Sequence, residues 1–193
     1  MGKLGNQNPP MATHPSAPKP LTIEETLKCV TKFTERLAKS DAANKTILSK
    51  YHVFIDALKN TPACDSPFVR CTVPIAVQLY PHQLADVNAA VHQYINNCLL
   101  TCYASPSLEG ILLMYRTVVI PEKSQMQFNS PVLIVRLQVD CVLFAPRIDT
   151  FLVGCVSQRG YDFVGLLLFG IFNVSITTDN IRQTVLPKLK PQT

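Results

Sequence analysis

Between positions 69 and 79 the chain alternates without a slip. Val69, Cys71, Val73, Ile75, Val77 and Leu79 carry the apolar bulk, with Arg70, Thr72, Ala76 and Gln78 between them. A period of two places those large side chains on one face, so the segment reads as a half-buried strand that needs partner strands and a covering layer. Pro74 lacks an amide donor and therefore belongs on an edge or at a bulge.

The preceding segment supplies a candidate layer. Thr22 and Glu25 have the spacing of a capping box, and Ile23, Leu27, Val30, Phe33 and Leu37 follow at helical steps. After Ser40-Asp41 a second helical pattern carries Ile47, Leu48, Tyr51, Phe54, Ile55 and Leu58. Residues 21–60 are thus expected to form an antiparallel helical hairpin whose lysine-bearing outer face is solvated. Residues 1–20 hold five prolines and little apolar bulk, the composition of a disordered tail.

Beyond the strand, Leu84, Val87, Val91, Tyr94, Ile95, Cys98 and Cys102 predict a helix of about five turns, entered after Pro81 and closed before Pro106. Two Val-, Ile- and Leu-rich runs follow, 110–120 and 131–144, and read as strands. The expected order across 67–146 is β-α-β-β. After Pro146, residues 151–157, 163–168 and 171–176 form three short apolar stretches punctuated by Gly160 and Gly170, the texture of a small barrel in 147–193. The fold class expected is therefore α+β: a helical hairpin, a β-α-β-β domain and a partial barrel.

Function classes are narrowed mainly by what is missing. The chain is 47% hydrophobic and 16% charged with a net charge of +5, which suits a globular binding protein and concentrates no basic run. The N-terminus lacks a secretory pattern, and the longest apolar stretch, 163–174, falls short of a membrane span. Seven cysteines at irregular spacing read as reduced thiols in an intracellular protein. No CxxC pair occurs, and His14, His52, His82 and His92 have no ligand spacing. Cys98 and Cys102 share a helical face with Val91, Tyr94 and Ile95, so they read as core. Asp140 falls at the outward phase of a strand, a place for a surface contact rather than a general base. No phosphate loop or nucleophile elbow is present. No catalytic residue, metal or cofactor is expected.

The most specific stretch is 139–176. A strand ending Asp140-Cys141-Val142-Leu143-Phe144-Ala145-Pro146 is followed by Gly154-Cys155-Val156, by Phe163-Val164-Gly165-Leu166, and by Phe169-Gly170-Ile171-Phe172-Asn173-Val174-Ser175-Ile176. These residues resemble the first three strands of an S1-type OB fold, in the setting of the larger stalk subunits of RNA polymerases. The string Gly170-Ile171-Phe172-Asn173-Val174-Ser175-Ile176 is similar to the RNA polymerase I member; relatives serve polymerases II and III and the archaeal enzyme as its E-prime subunit. The resemblance spans 67–176. Asp149 stands where the family usually has glycine, and Asp162-Phe163 where a His-Ile pair is common.

The resemblance implies a non-catalytic nuclear and nucleolar subunit with no membrane contact. Its tip domain, 67–146, docks on the polymerase I core and pairs with a smaller stalk subunit. The OB domain stands near nascent RNA, and an initiation factor is a further expected partner. Candidate core-docking residues are Val73, Ile75, Val77, Tyr80, Pro81 and His82. Ile134, Arg136, Gln138 and Asp140, with Val132, either face the smaller subunit or cover the domain's own helix. Exposed aromatic and basic side chains suit RNA stacking and phosphate neutralisation, which selects Arg147, Arg159, Tyr161, Arg182 and Lys188. Seventeen residues follow Ile176, too few for two more full strands, so the barrel is expected to be truncated, open or completed by another chain. A free-standing S1-like RNA-binding protein, a structural adaptor and a stalk subunit of another nuclear polymerase are the alternative readings.

Overall fold

The computed structural model describes residues 17–39, 45–62, 64–100, 104–105, 110–126 and 130–181. Its elements, in chain order, are β1 (Lys19–Pro20), α1 (Ile23–Ala38), α2 (Lys45–Asn60), β2 (Phe68–Leu79), α3 (Val87–Tyr94), β3 (Ala104–Ser105), β4 (Gly110–Val119), β5 (Gln125–Met126), β6 (Leu133–Phe144), β7 (Gly154–Arg159), β8 (Phe163–Leu168) and β9 (Phe172–Thr177). The architecture is mixed α+β, with one antiparallel sheet in the order β1-β2-β6-β4-β3, β5 pairing with β6, and a second sheet β7-β8-β9.

The alternating segment is the spine of the larger sheet. β2 and β6 pair residue for residue from Phe68 opposite Phe144 to Leu79 opposite Leu133. Cys71, Val73, Ile75, Val77 and Leu79 share their buried face with Val135, Leu137, Val139, Cys141 and Leu143. Each aliphatic side chain buried this way contributes about 1.5–3 kcal/mol. β1 covers only Val69 and Arg70, so β2 is an edge at Pro74, where a missing amide costs no ladder bond.

Helix α1 starts at the capping box. Glu25 N donates to Thr22 Oγ1 at 3.2 Å, and Thr22 N donates to Glu25 Oε2 at 3.0 Å. The Thr22 amide holds the Glu25 carboxyl below its ordinary range. α1 buries Val30, Phe33 and Leu37, and α2 buries Ile47, Tyr51, Phe54, Ile55 and Leu58. Phe33 meets Tyr51 and Tyr115 of β4 edge-on, with ring centroids 5.4 and 5.3 Å apart. β4 is irregular at Leu113 and Arg116. The helices take up its carbonyls there: Tyr51 donates to Leu113 O, and Arg36 donates to Tyr115 O at 2.6 Å and Arg116 O at 2.9 Å.

Two expectations need correction. Residues 1–20 are not all tail: Lys19 and Pro20 pair with β2, and Leu21 N donates to Phe68 O at 2.9 Å. A short extended segment satisfies its backbone on an existing edge even without apolar bulk. The helix after Pro81 is not one five-turn α-helix. A 3-10 segment over Pro81–Asp86 runs into α3, and a wider π turn over Ile95–Leu99 ends it. Asp86 caps α3 by accepting from Ala89 N at 2.9 Å, so the α-helical hydrogen-bonding pattern begins there. Among the described residues the small sheet is three-stranded and open, one of the forms expected for 147–193.

The small sheet joins the rest through aromatic rings. Phe169 and Phe172 pack with Phe54 of α2, Phe68 of β2 and Phe144 of β6; Phe144 and Phe172 stack at 4.0 Å. Gly170, at φ +75, makes the β8–β9 turn that places Phe169 and Phe172 on either side. A Cβ there would stand 2.7 Å from Val53 Cγ1, so glycine also permits the approach to α2.

Candidate docking and RNA-contact surfaces

The sheet face opposite the buried row is covered at one end only. Phe68, Val142 and Phe144 are buried there, whereas Pro74, Ala76, Gln78 and Arg136 are exposed and Ile134 and Gln138 half-buried. The register sets Pro74 beside Gln138, Ala76 beside Arg136 and Gln78 beside Ile134. Exposed Val119 extends the surface on the far side of Gln138. Asp140, on the same face, pairs with Arg70: Nη2 to Oδ2 is 2.8 Å and Nε to Oδ1 is 3.1 Å. This two-point contact raises the Arg70 pKa and fixes both charges within the chain. Asp140 is therefore committed, and Ile134, Arg136 and Gln138 form the available part of that candidate group.

Val73, Ile75 and Val77 are corrected. They point into the protein's own core and are 2%, 4% and 0% exposed, so they are not available to a partner. Strand alternation made them conspicuous, but the outward residues of the same strand are Pro74, Ala76 and Gln78. The next turn differs. Tyr80 is 51% exposed, Pro81 and His82 are exposed, and the Tyr80 and His82 rings stack at 6.0 Å. Tyr80 N donates to Gln83 Oε1 and Gln83 N to Tyr80 O, both at 2.9 Å, which fixes the turn beneath the rings. Leu84, 38% exposed, lies just beyond.

Arg147, Arg159 and Tyr161 are exposed but do not share one element. Arg159 ends β7 and Tyr161 occupies the turn into β8, while Arg147 lies in the connection from β6 to β7. Arg147 N donates to Thr150 Oγ1 at 3.1 Å, and Asp149 in the same turn has φ 67. That left-handed backbone explains why glycine suits the position and why aspartate, among the side chains that tolerate it, can stand there. Arg182 and Lys188 lie outside the described residues. So does Cys102, and among the described residues no group of three or more His, Cys, Asp or Glu is placed to hold a metal.

A third feature was not evident from the sequence. Tyr115 donates to Asn96 Oδ1 at 2.9 Å and lies 3.2 Å from His92 Nδ1, while the Arg36 guanidinium sits over its ring at 5.3 Å. Burial raises the Tyr115 pKa; burial and then Arg36 lower that of His92. The residues come from α1, α3, the π turn that follows it and β4, and no local spacing announces their meeting.

The exposed Tyr80–His82 turn and the sheet face bearing Arg136 and Gln138 are the surfaces this arrangement leaves open to other molecules. No family model matches the chain. The DNA-directed RNA polymerase I subunit rpa43 of Schizosaccharomyces pombe is 28% identical over 118 residues, 61% of this chain and 67% of that protein. The chain is a relative of this RNA polymerase I subunit.

Proposed function

We propose that this chain is a non-catalytic stalk subunit of RNA polymerase I that supports rRNA gene transcription by docking. The similarity over 118 residues to the polymerase I subunit carries this reading. In it, residues 67–146 are the tip domain and 147–193 an S1-like OB domain, with 21–60 a helical hairpin added to the tip. The exposed turn Tyr80-Pro81-His82 meets the polymerase core, where two ring faces and a rigid backbone suit a buried contact. The face bearing Ile134, Arg136 and Gln138 receives the smaller stalk subunit. Its half-exposed, mostly uncharged surface supports that role better than covering the chain's own helix. An initiation factor and nascent RNA are further partners. For RNA, Tyr161, which is 95% exposed, offers a stacking ring beside Arg159. The place of work is the nucleus, and within it the nucleolus.

The test is co-purification of a tagged full chain from its own cells. Recovery of polymerase I core subunits is expected. Isolation as a lone monomer, or with polymerase III, overturns the proposal.

A further inference from the structure

Cys71 of β2 and Cys141 of β6 are directly opposed in the antiparallel ladder, on the same inward face. Directly opposed Cα atoms stand about 4.5 or about 5.5 Å apart according to their place in the hydrogen-bond pattern. Both separations lie inside the roughly 4.4–6.8 Å that a disulfide spans. The Cys141 thiol is turned toward the other strand, with Sγ 3.6 Å from Cys71 O. Neither residue is more than 2% exposed. The remaining described cysteines differ: Cys29 and Cys64 are half-buried, Cys155 is exposed, and none is registered opposite another cysteine.

The pair also sits where a crosslink would matter. Three positions along the ladder, Phe68 faces Phe144, the aromatic pair on which Phe169 and Phe172 rest. Those three positions amount to about 10 Å of strand.

We propose that Cys71 and Cys141 form a latent cross-strand disulfide, closed by a peroxide-class oxidant, that locks the β2–β6 ladder beside the aromatic joint. The Cys71 sulfur, as thiolate, attacks one oxygen of hydrogen peroxide. The O–O bond breaks, and the departing hydroxide takes up the thiol's proton as water, leaving Cys71 as a sulfenic acid. The Cys141 sulfur then attacks Cys71 sulfur. The S–S bond forms, the S–O bond breaks, and the hydroxyl leaves with the Cys141 proton as a second water. Two thiols lose two electrons and the peroxide gains them. The neighbouring Cys141 side chain lowers the Cys71 pKa, and Cys71 together with burial raises that of Cys141, which favours Cys71 as the first thiolate. Burial makes the reaction slower than oxidation of Cys155 and confines its product to one partner.

The test treats the folded full chain with hydrogen peroxide, blocks remaining thiols with N-ethylmaleimide, and maps peptides under non-reducing conditions. A Cys71–Cys141 linked pair is expected, appearing after Cys155 modification and reversed by dithiothreitol. The linked chain should melt about 10 °C higher than the reduced chain, given a closed loop of about 70 residues in a chain of this size. Cys71→Ala and Cys141→Ala should each abolish that rise. If the variants fold poorly, the wild-type peptide map still decides. Full Cys155 modification with Cys71 and Cys141 still free on later denaturation overturns the proposal, as does a linked pair formed only in denaturant.

Discussion

The two sheets carry the same alternation but are buried to different extents. In the large sheet the apolar row is buried from Cys71 to Leu79 on β2 and from Val135 to Leu143 on β6, and Val77, Val135 and Leu137 have no exposed surface. In the small sheet, Leu168 and Phe172 share a row beside Gly154 and are buried against the aromatic joint. The next row holds Val156, Leu166 and Val174, with Val156 44% and Val174 36% exposed. Strand pattern therefore says which face is apolar, while the neighbouring elements decide how much of it leaves water.

The largest test of that difference is at the joint. Phe144→Ala removes a ring that belongs to the large sheet and stacks on the small one. Denaturant unfolding should show a loss of about 3–5 kcal/mol. Phe172→Ala, at the lower end of that range, should act more locally: amide exchange should quicken across β7, β8 and β9 while β2 and β6 stay protected. Equal loss of protection in both sheets would break the comparison and make them one cooperative unit.

Gly170→Ala comes next. A φ of +75 costs a side-chain-bearing residue about 1–2 kcal/mol, and the added methyl must also displace Val53. The thermal midpoint should fall, and exchange should rise first around the β8–β9 turn. An unchanged midpoint would mean that the turn is not held against α2.

Much of this was legible in sequence. Period two placed β2 and its buried row correctly, Thr22 and Glu25 marked the start of α1, and Gly170 marked the β8–β9 turn. The docking residues were less legible for a physical reason. Val73, Ile75 and Val77 drew notice through the apolar character that sends them inside, whereas Pro74, Ala76 and Gln78 carry no distinctive signal. The Tyr115 group and the five-phenylalanine joint bring together residues of separate elements, from Tyr115 with Asn96, 19 positions apart, to Arg36 with Tyr115, 79 apart. Local spacing carries no trace of those meetings.

Acid should weaken the large-sheet side selectively. His92 packs against Tyr115 and faces Arg36, so its folded pKa lies below the ordinary imidazole value near 6.5. The unfolded chain then takes up the proton first, and stability contributed by neutral His92 is present above that value and is lost as pH falls through it. Thermal midpoints between pH 7.5 and 5.5 should show a decline that His92→Gln reduces. An equal decline in the variant would assign the effect to other groups.

The smallest effect belongs to the uncovered row. Val156→Ser exchanges an aliphatic side chain that already meets water for a small polar one, on an edge strand whose neighbours Leu166 and Val174 are themselves partly wet. Little transfer free energy is at stake, and no enclosed cavity forms, so the isolated chain should change by no more than about 0.5 kcal/mol. The same exchange at Val77, with no exposed surface, removes two methyl groups from a packed interior and buries a hydroxyl, which costs several times as much. Denaturant midpoints of the two variants measure that contrast directly. A Val156 variant as damaging as the Val77 one would show that the small sheet's apolar row is covered within the chain, and the distinction between the two sheets would then rest on pairing alone.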